Sequence, residues 1–284
     1  MLDQNLKIGQ FWEVSNYIVI YCLAKLEQGE FKVVYPLIDK LSTIADSYEY
    51  EPSRSHKFNR KTHLLIQCRK LYDAQKSAEK FELSVVKIGL DLYRIHALGL
   101  KTQIQILLKD LAEAEKSLNQ AEEYYRKQAI VPPLFAASYL VAKFSLDIEL
   151  LEESFRSNNK LTISKHRQSA VKSGKNVLIN SKKYAPYRTG VFKLMGLYFW
   201  LINKQNKAVK WWQKAIEEGE RLSARPELAR TYMEIGKRFL EEKSKYKELN
   251  GISAKEYLGK AREMFQEMDL QWDLDELDKI ASDS

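Results

Sequence analysis

The side chains best able to do chemistry are four histidines and two cysteines, and their spacing argues against catalysis. His56, His63, His96 and His166 are scattered, with no pair three or four residues apart to present two imidazoles from one helix turn. The patterns HExxH, CxxC and GxSxG are absent. So is the GxxxxGK[ST] loop that would cradle a nucleotide's phosphates. Cys22 and Cys68 stand alone on apolar helical faces, which reads as two buried free thiols and a reducing, cytoplasmic setting. The acidic runs Glu152-Glu153, Glu217-Glu218-Glu220 and Glu241-Glu242 suit solvated helix faces rather than general acids. The expectation is a non-catalytic chain with no cofactor and no metal.

Charge distribution carries more information. Between Glu153 and Glu217 lie fourteen lysines and arginines and no acidic residue. On a helical wheel for 162–183, Ile163, Ala170, Val171, Val177 and Leu178 cluster on one side, and Lys165, Lys172 and Lys183 fall nearly opposite as a basic ridge. The chain end reverses the sign, with Asp269, Asp273, Asp275, Glu276, Asp278 and Asp283 against Lys279 alone. The rest of the chain is therefore more basic than the overall +8. Such a surface either keeps the protein soluble or docks an acidic partner; nucleic acid and an anionic surface are the alternatives.

The elements that position these charges are helices. Apolar residues recur at steps of three and four, and 284 residues contain only 11 Gly and 6 Pro. No strand is expected. The longest apolar block near the start, Tyr17 to Ala24, is far short of the ~20 residues that span a bilayer. A first helix over about Leu6–Leu26 would bury Phe11, Val14, Ile18, Tyr21 and Cys22, and a second would bury Phe31, Val34, Leu37, Ile38, Leu41 and Ile44. Pro52 reads as the end of that hairpin, with the next helix under way from about Asn59. Val131-Pro132-Pro133 is the clearest break, opening a helix to Phe155 with a partner over Thr162–Lys183.

From Thr189 to Ser223, Phe192, Met195, Phe199 and Ile202 form one apolar face, and Ala208, Trp211, Trp212, Ala215 and Ile216 form another after a short polar loop. Gly196, Ala208, Trp212 and Ala215 match the small–Ala–aromatic–Ala pattern of the tetratricopeptide repeat, which this stretch resembles. The resemblance implies an all-α, TPR-like α-solenoid of about six degenerate hairpins over 1–284: N-terminal hairpins in 1–131, a basic hairpin in 132–188, the best-matching hairpins in 189–268 and an acidic capping helix in 269–284. Taking Val34, Ala78, Ala114, Ala170, Ala208 and Ala254 as equivalent positions gives uneven intervals, all longer than the ~34 of that family. The loop Glu241–Ser253 absorbs one insertion.

The resemblance also implies a partner groove lined by fixed positions of each first helix. These are Lys193, Leu197 and Trp200, preceded by Gly190, then Arg230, Met233 and Lys237, followed by Leu240. Lys193 fits the carboxylate clamp of chaperone-binding relatives and Leu197 departs from it. The groove would suit an acidic, amphipathic protein or peptide. Tyr198, Phe199, Trp211 and Trp212 carry the spacing of inter-helix packing rather than a ligand box, which also weakens the nucleic-acid reading. Arg225-Pro226-Glu227-Leu228-Ala229-Arg230 and the run Ala261 to Phe265 resemble the helical-repeat tail of large bacterial signalling proteins that couple an ATPase to a cyclase or kinase. That likeness implies a regulatory, protein-binding region of a multidomain protein. The alternative is a basic adaptor acting through 154–216.

Overall fold

The computed structural model describes residues 6–282, within which thirteen α-helices follow one another as consecutive packed pairs. The fold is all-α. The chain divides into two compact units, 1–131 and 132–284, at the Val131-Pro132-Pro133 break.

Unit 1 holds α1 (Phe11–Glu27), α2 (Phe31–Ser47), α3 (Glu51–Gln67), α4 (Leu71–Lys87), α5 (Asp91–Leu107) and α6 (Leu111–Lys127). Each is 17 residues long, and each begins 20 residues after the one before. The turns keep the same period: Gly29, Glu49, Arg69, Gly89 and Lys109 all take the left-handed conformation. The amide of the residue after Gly29, Arg69, Gly89 and Lys109 reaches back to the carbonyl five residues earlier, as in Glu30 to Lys25, Lys70 to Leu65, Leu90 to Val85 and Asp110 to Gln105. This double closure satisfies the orphan carbonyls at a helix end and reverses the chain in three residues.

The repeat of unit 1 is therefore regular, at 40 residues per hairpin, and the equivalent of Val34 and Ala114 is Ala74 rather than Ala78. All three are fully buried. Pro52 does not close a hairpin; it sits in the first turn of α3, where its missing N–H costs nothing. Tyr21, expected on the buried side of α1, is half exposed, because Val14, Ser15, Ile18, Cys22 and Leu26 define that face. Cys22 is buried and Cys68 is half-buried at the end of α3.

Unit 2 starts with a longer pair, α7 (Pro133–Arg156) and α8 (Lys160–Lys183). After a 3-10 turn at Ala185–Tyr187 come α9 (Arg188–Leu201), α10 (Gln205–Leu222), α11 (Arg225–Leu240), α12 (Ala254–Glu267) and α13 (Gln271–Ser282). Close crossings depend on missing side chains. A Cβ on Gly196 would lie 2.2 Å from Trp212 Cδ1, and one on Gly236 would lie 2.6 Å from Leu258 Cγ. The α11–α12 loop contains a two-stranded ribbon, β1 (Glu248–Leu249) and β2 (Ile252–Ser253), turned by Asn250 and Gly251 at positive φ. That is an exception to the strand-free expectation. Ser253 then caps α12, its hydroxyl accepting from the Glu256 amide while the Glu256 carboxylate accepts from the Ser253 amide. Among the described residues no helix is long and apolar enough to cross a membrane.

Candidate functional site

The fold of unit 2 builds a groove of about 780 Å³ between α8, α9 and α10. Its floor and walls are Val171, Leu178, Ile179, Phe192, Met195, Phe199, Ile202 and Trp211, with Tyr198 beside them. Arg167, Lys175, Lys182, Lys204 and Lys214 also line it, and no acidic residue does. Small residues on the buried face of α8 (Ala170, Ser173, Gly174 and Ser181) let α8 lie close to its neighbours. A Cβ on Gly174 would come 2.9 Å from Phe144 Cε2 and 3.3 Å from Met195 Sδ. With that face committed to packing, Val171 and Ile179 are left 54% and 50% exposed at the groove. Val171 is thus not on the buried side where the wheel placed it, because small side chains rather than the bulky ones mark the helix contact.

Cations cover part of the aromatic lining. Lys214 Nζ sits 4.8 Å over the Trp211 ring and Lys207 Nζ 5.6 Å over Phe199, geometry in which an ammonium is attracted by the ring face. Phe192 and Trp211 touch with centroids 5.4 Å apart. Burial raises the Tyr198 phenol above its ordinary value, opposed by Arg167.

Lys165, Lys172 and Lys183 are exposed on α8, opposite its packed face, and none forms an ion pair with another described residue. Lys165, Lys172 and Ile179 stand seven residues apart on one line of the helix, so the ridge runs along the edge of the groove. Of the fourteen cations in the acid-free stretch, three are neutralised by carboxylates from outside it. Arg156 pairs with Glu152, Arg188 with Glu218 at 2.7 Å and Lys193 with Glu227 at 2.8 Å. The other eleven make no ion pair with a described residue.

The residues expected to line a groove by repeat register are not brought together in one. Trp200 is 1% exposed; its indole N–H donates to Glu241 and its ring packs on Trp212 and Phe239. Arg230 is 3% exposed and grips Asp273 through two 2.9 Å hydrogen bonds, with Glu227 as a further partner. Lys193 is spent on Glu227, Leu197 and Met233 are half-buried, and Lys237 alone of the six is exposed. Meanwhile Phe192, Phe199 and Ile202, expected to face the core, are half-buried and line the groove found here, whereas Met195 borders it but is buried as expected. Trp200 is core and Phe199 is not because α9 is apolar nearly all round, so its periodicity does not choose which side packs.

Among the described residues, the acidic C-terminal segment is tied to the helices before it at two positions, one of them the pair of Asp278 with Arg262 of α12. Asp273, fully buried against Arg230, ties α13 to α11. Asp283 lies outside the described residues. A second buried network joins Arg238 to Glu152, Glu234 and Glu241, whose hydrogen bonds more than offset burial and hold the guanidinium charged.

In unit 1, two of the four histidines meet, which their spacing did not indicate. His63 and His96 stack with Nε2 atoms 3.2 Å apart, and His96 also lies 3.3 Å from Asn59 Oδ1. His56 Nε2 is 3.4 Å from the Tyr93 hydroxyl. His166 is apart in unit 2, paired with Ser154 Oγ at 2.7 Å. Among the described residues no group of three or more His, Cys, Asp or Glu side chains is placed to hold a metal ion. No protein-family model matches the chain, and no curated protein matches it.

Proposed function

We propose that the protein is a non-catalytic, TPR-like interaction module whose unit 2 seats an acidic, amphipathic segment of a partner protein. The observation that carries this reading is the groove of α8–α10: an apolar floor, five cations among the lining residues and no carboxylate. An amphipathic helix would place its apolar stripe on Val171, Ile179, Phe199 and Trp211 and its acidic flanks against Arg167, Lys175, Lys182 and Lys214. The likeness of 225–230 and 261–265 to the tails of signalling proteins supports a regulatory role in a cytoplasmic, multidomain setting.

The test uses two synthetic peptides of identical composition, one an acidic amphipathic helix and one scrambled, titrated against the whole chain. The amphipathic peptide binds and the scrambled one does not, the association rate falls as salt rises, and Val171→Asp with Ile179→Asp abolishes binding. Both positions are about half exposed, so the fold tolerates them. Equal binding of the two peptides, or binding that survives the double variant, refutes the groove. A single-stranded oligonucleotide or anionic vesicle that binds where neither peptide does would favour the adaptor reading through 154–216.

A further inference from the structure

Arg60 of α3 is 3% exposed and has no carboxylate partner among the described residues. Its Nη2 donates to Asn59 Oδ1 at 2.9 Å, while Nε and Nη1 are buried and make no hydrogen bond. A guanidinium does not shed its proton in a protein, so this is a buried positive charge without a counter-ion among the described residues, one of the costliest arrangements a fold can hold.

The carboxylates on neighbouring helices are directed elsewhere. Glu51 and Asp46 pair with Arg54, and Glu51 also with Lys87; Glu82 pairs with Lys101 and Asp91 with Arg94. Glu13 of α1 is exposed and bears on Tyr50. The titratable groups that do feel Arg60 are neutral: Cys22 of α1, His56 and His63 of α3, and Tyr93 and His96 of α5. His56 Nδ1 is likewise buried without a partner.

The repeat shows that the fold does not require this charge. At 40 residues per hairpin, the positions equivalent to Arg60 are Ile20 in α1 and Leu100 in α5. Leu100 is buried at 1% exposure, so an aliphatic side chain suffices there. Asn59 and His63 flank Arg60 on the same face of α3, and His96 of α5 closes on both. On the side of α1, Trp12 lies 6.3 Å from the His56 ring and is 53% exposed, which puts a movable side chain at the edge of the cluster.

We infer that unit 1 carries an oxyanion site in which Arg60 neutralises a phosphate or carboxylate group of a small ligand. His56, whose Nδ1 is buried without a partner, supplies a further hydrogen bond, and the paired His63 and His96 stand beside it. A neutral imidazole donates from one ring nitrogen, so the site is polar without competing charge. Charge-assisted hydrogen bonds from a buried arginine to an oxyanion are stronger than neutral ones, and the anion removes the uncompensated charge. The site is independent of the groove in unit 2.

The experiment follows the imidazole nitrogens of the four histidines by NMR in the whole chain. Sodium phosphate and sodium succinate are each titrated to tens of millimolar, with sodium chloride at equal ionic strength as reference. The expected result is a saturable shift of His56, His63 and His96 with at least one of the two anions, beyond that in chloride, while His166 stays still. Phosphate alone or succinate alone then tells which oxyanion the site takes. Arg60→Met, an apolar side chain of similar length, should keep the three neutral imidazole signals and lose the response. Arg60→Lys guards against misfolding of that variant: it retains charge at the site and should keep a weakened response. Absence of a saturable shift with both anions overturns the inference, as does a response undiminished in Arg60→Met. Movement of His166 alone would mean that the anions bind the ridge of α8, and would overturn it too.

Discussion

Acidification from pH 7 to pH 5 should loosen unit 1 while sparing unit 2. Burial, followed by the Arg60 charge, pushes His56 down to about 4 and His96 down to about 3, and holds His63 well below its ordinary value. In the unfolded chain each titrates near 6.5. Between that value and the folded ones, the unfolded state binds protons that the folded state refuses. Stability is therefore full above about 6.5, falls as pH drops through the window, and levels off below the folded values. At pH 5 the loss is about 2 kcal/mol for each of His56 and His96, about 4 together, against a usual domain total of 5–15 kcal/mol. The shifted carboxyls of unit 2 carry no such cost in this range. Burial raises Asp147, which acts with the opposite sign, and Glu218, Glu234 and Glu241 are held below 4.5, so their contribution fades only at lower pH. Native-state hydrogen exchange, corrected for intrinsic rates at each pH, reads the opening free energies of α3 and α5 beside those of α10 and α11. The reasoning fails if α3 and α5 open equally at both pH values. It fails equally if a His56→Gln, His96→Gln double variant loses as much as the wild type.

Three further outcomes follow from the packing of unit 2. Gly196→Leu should destabilise the α9–α10 pair by ~1–3 kcal/mol or more, since even its Cβ would enter the Trp212 ring, and Ala208→Phe should do the same. Lys172→Ala, on the exposed ridge, should stay within about 0.5 kcal/mol; comparable melting shifts for all three would show the crossing to be misplaced. Asp273→Ala should cost about 3–5 kcal/mol and release α13, because it leaves Arg230 buried with its main partner gone. Urea unfolding together with proteolysis of the α12–α13 segment measures both effects.

The helices themselves were written locally. Apolar steps of three and four, Asp110 as a cap whose side chain accepts from the Glu113 amide, and Pro133 in a first turn depend on residues a few positions apart. They are legible without the fold. The regular period of unit 1 was not legible: reading along the chain gave uneven intervals, because only Gly29 and Gly89 mark its left-handed turns by residue type, while Glu49, Arg69 and Lys109 make the same turn with no glycine signal. The acid-free stretch 154–216 was plain in the sequence, and so was its positive charge.

What needed the tertiary structure was the facing of each helix and the destination of each charge. On α9 apolar residues surround the axis, so only the neighbours decided that Trp200 is core and Phe199 is groove. Lys193 and Glu227 are 34 residues apart, and Arg230 and Asp273 are 43 apart; their pairing rests on hairpin packing that no local pattern specifies. The approach of His96 to His63 and Asn59 has the same origin. His56, Arg60 and His63 share one face of a single helix at steps of four and three, and only the alignment of α5 against α3 adds His96 and buries the cluster.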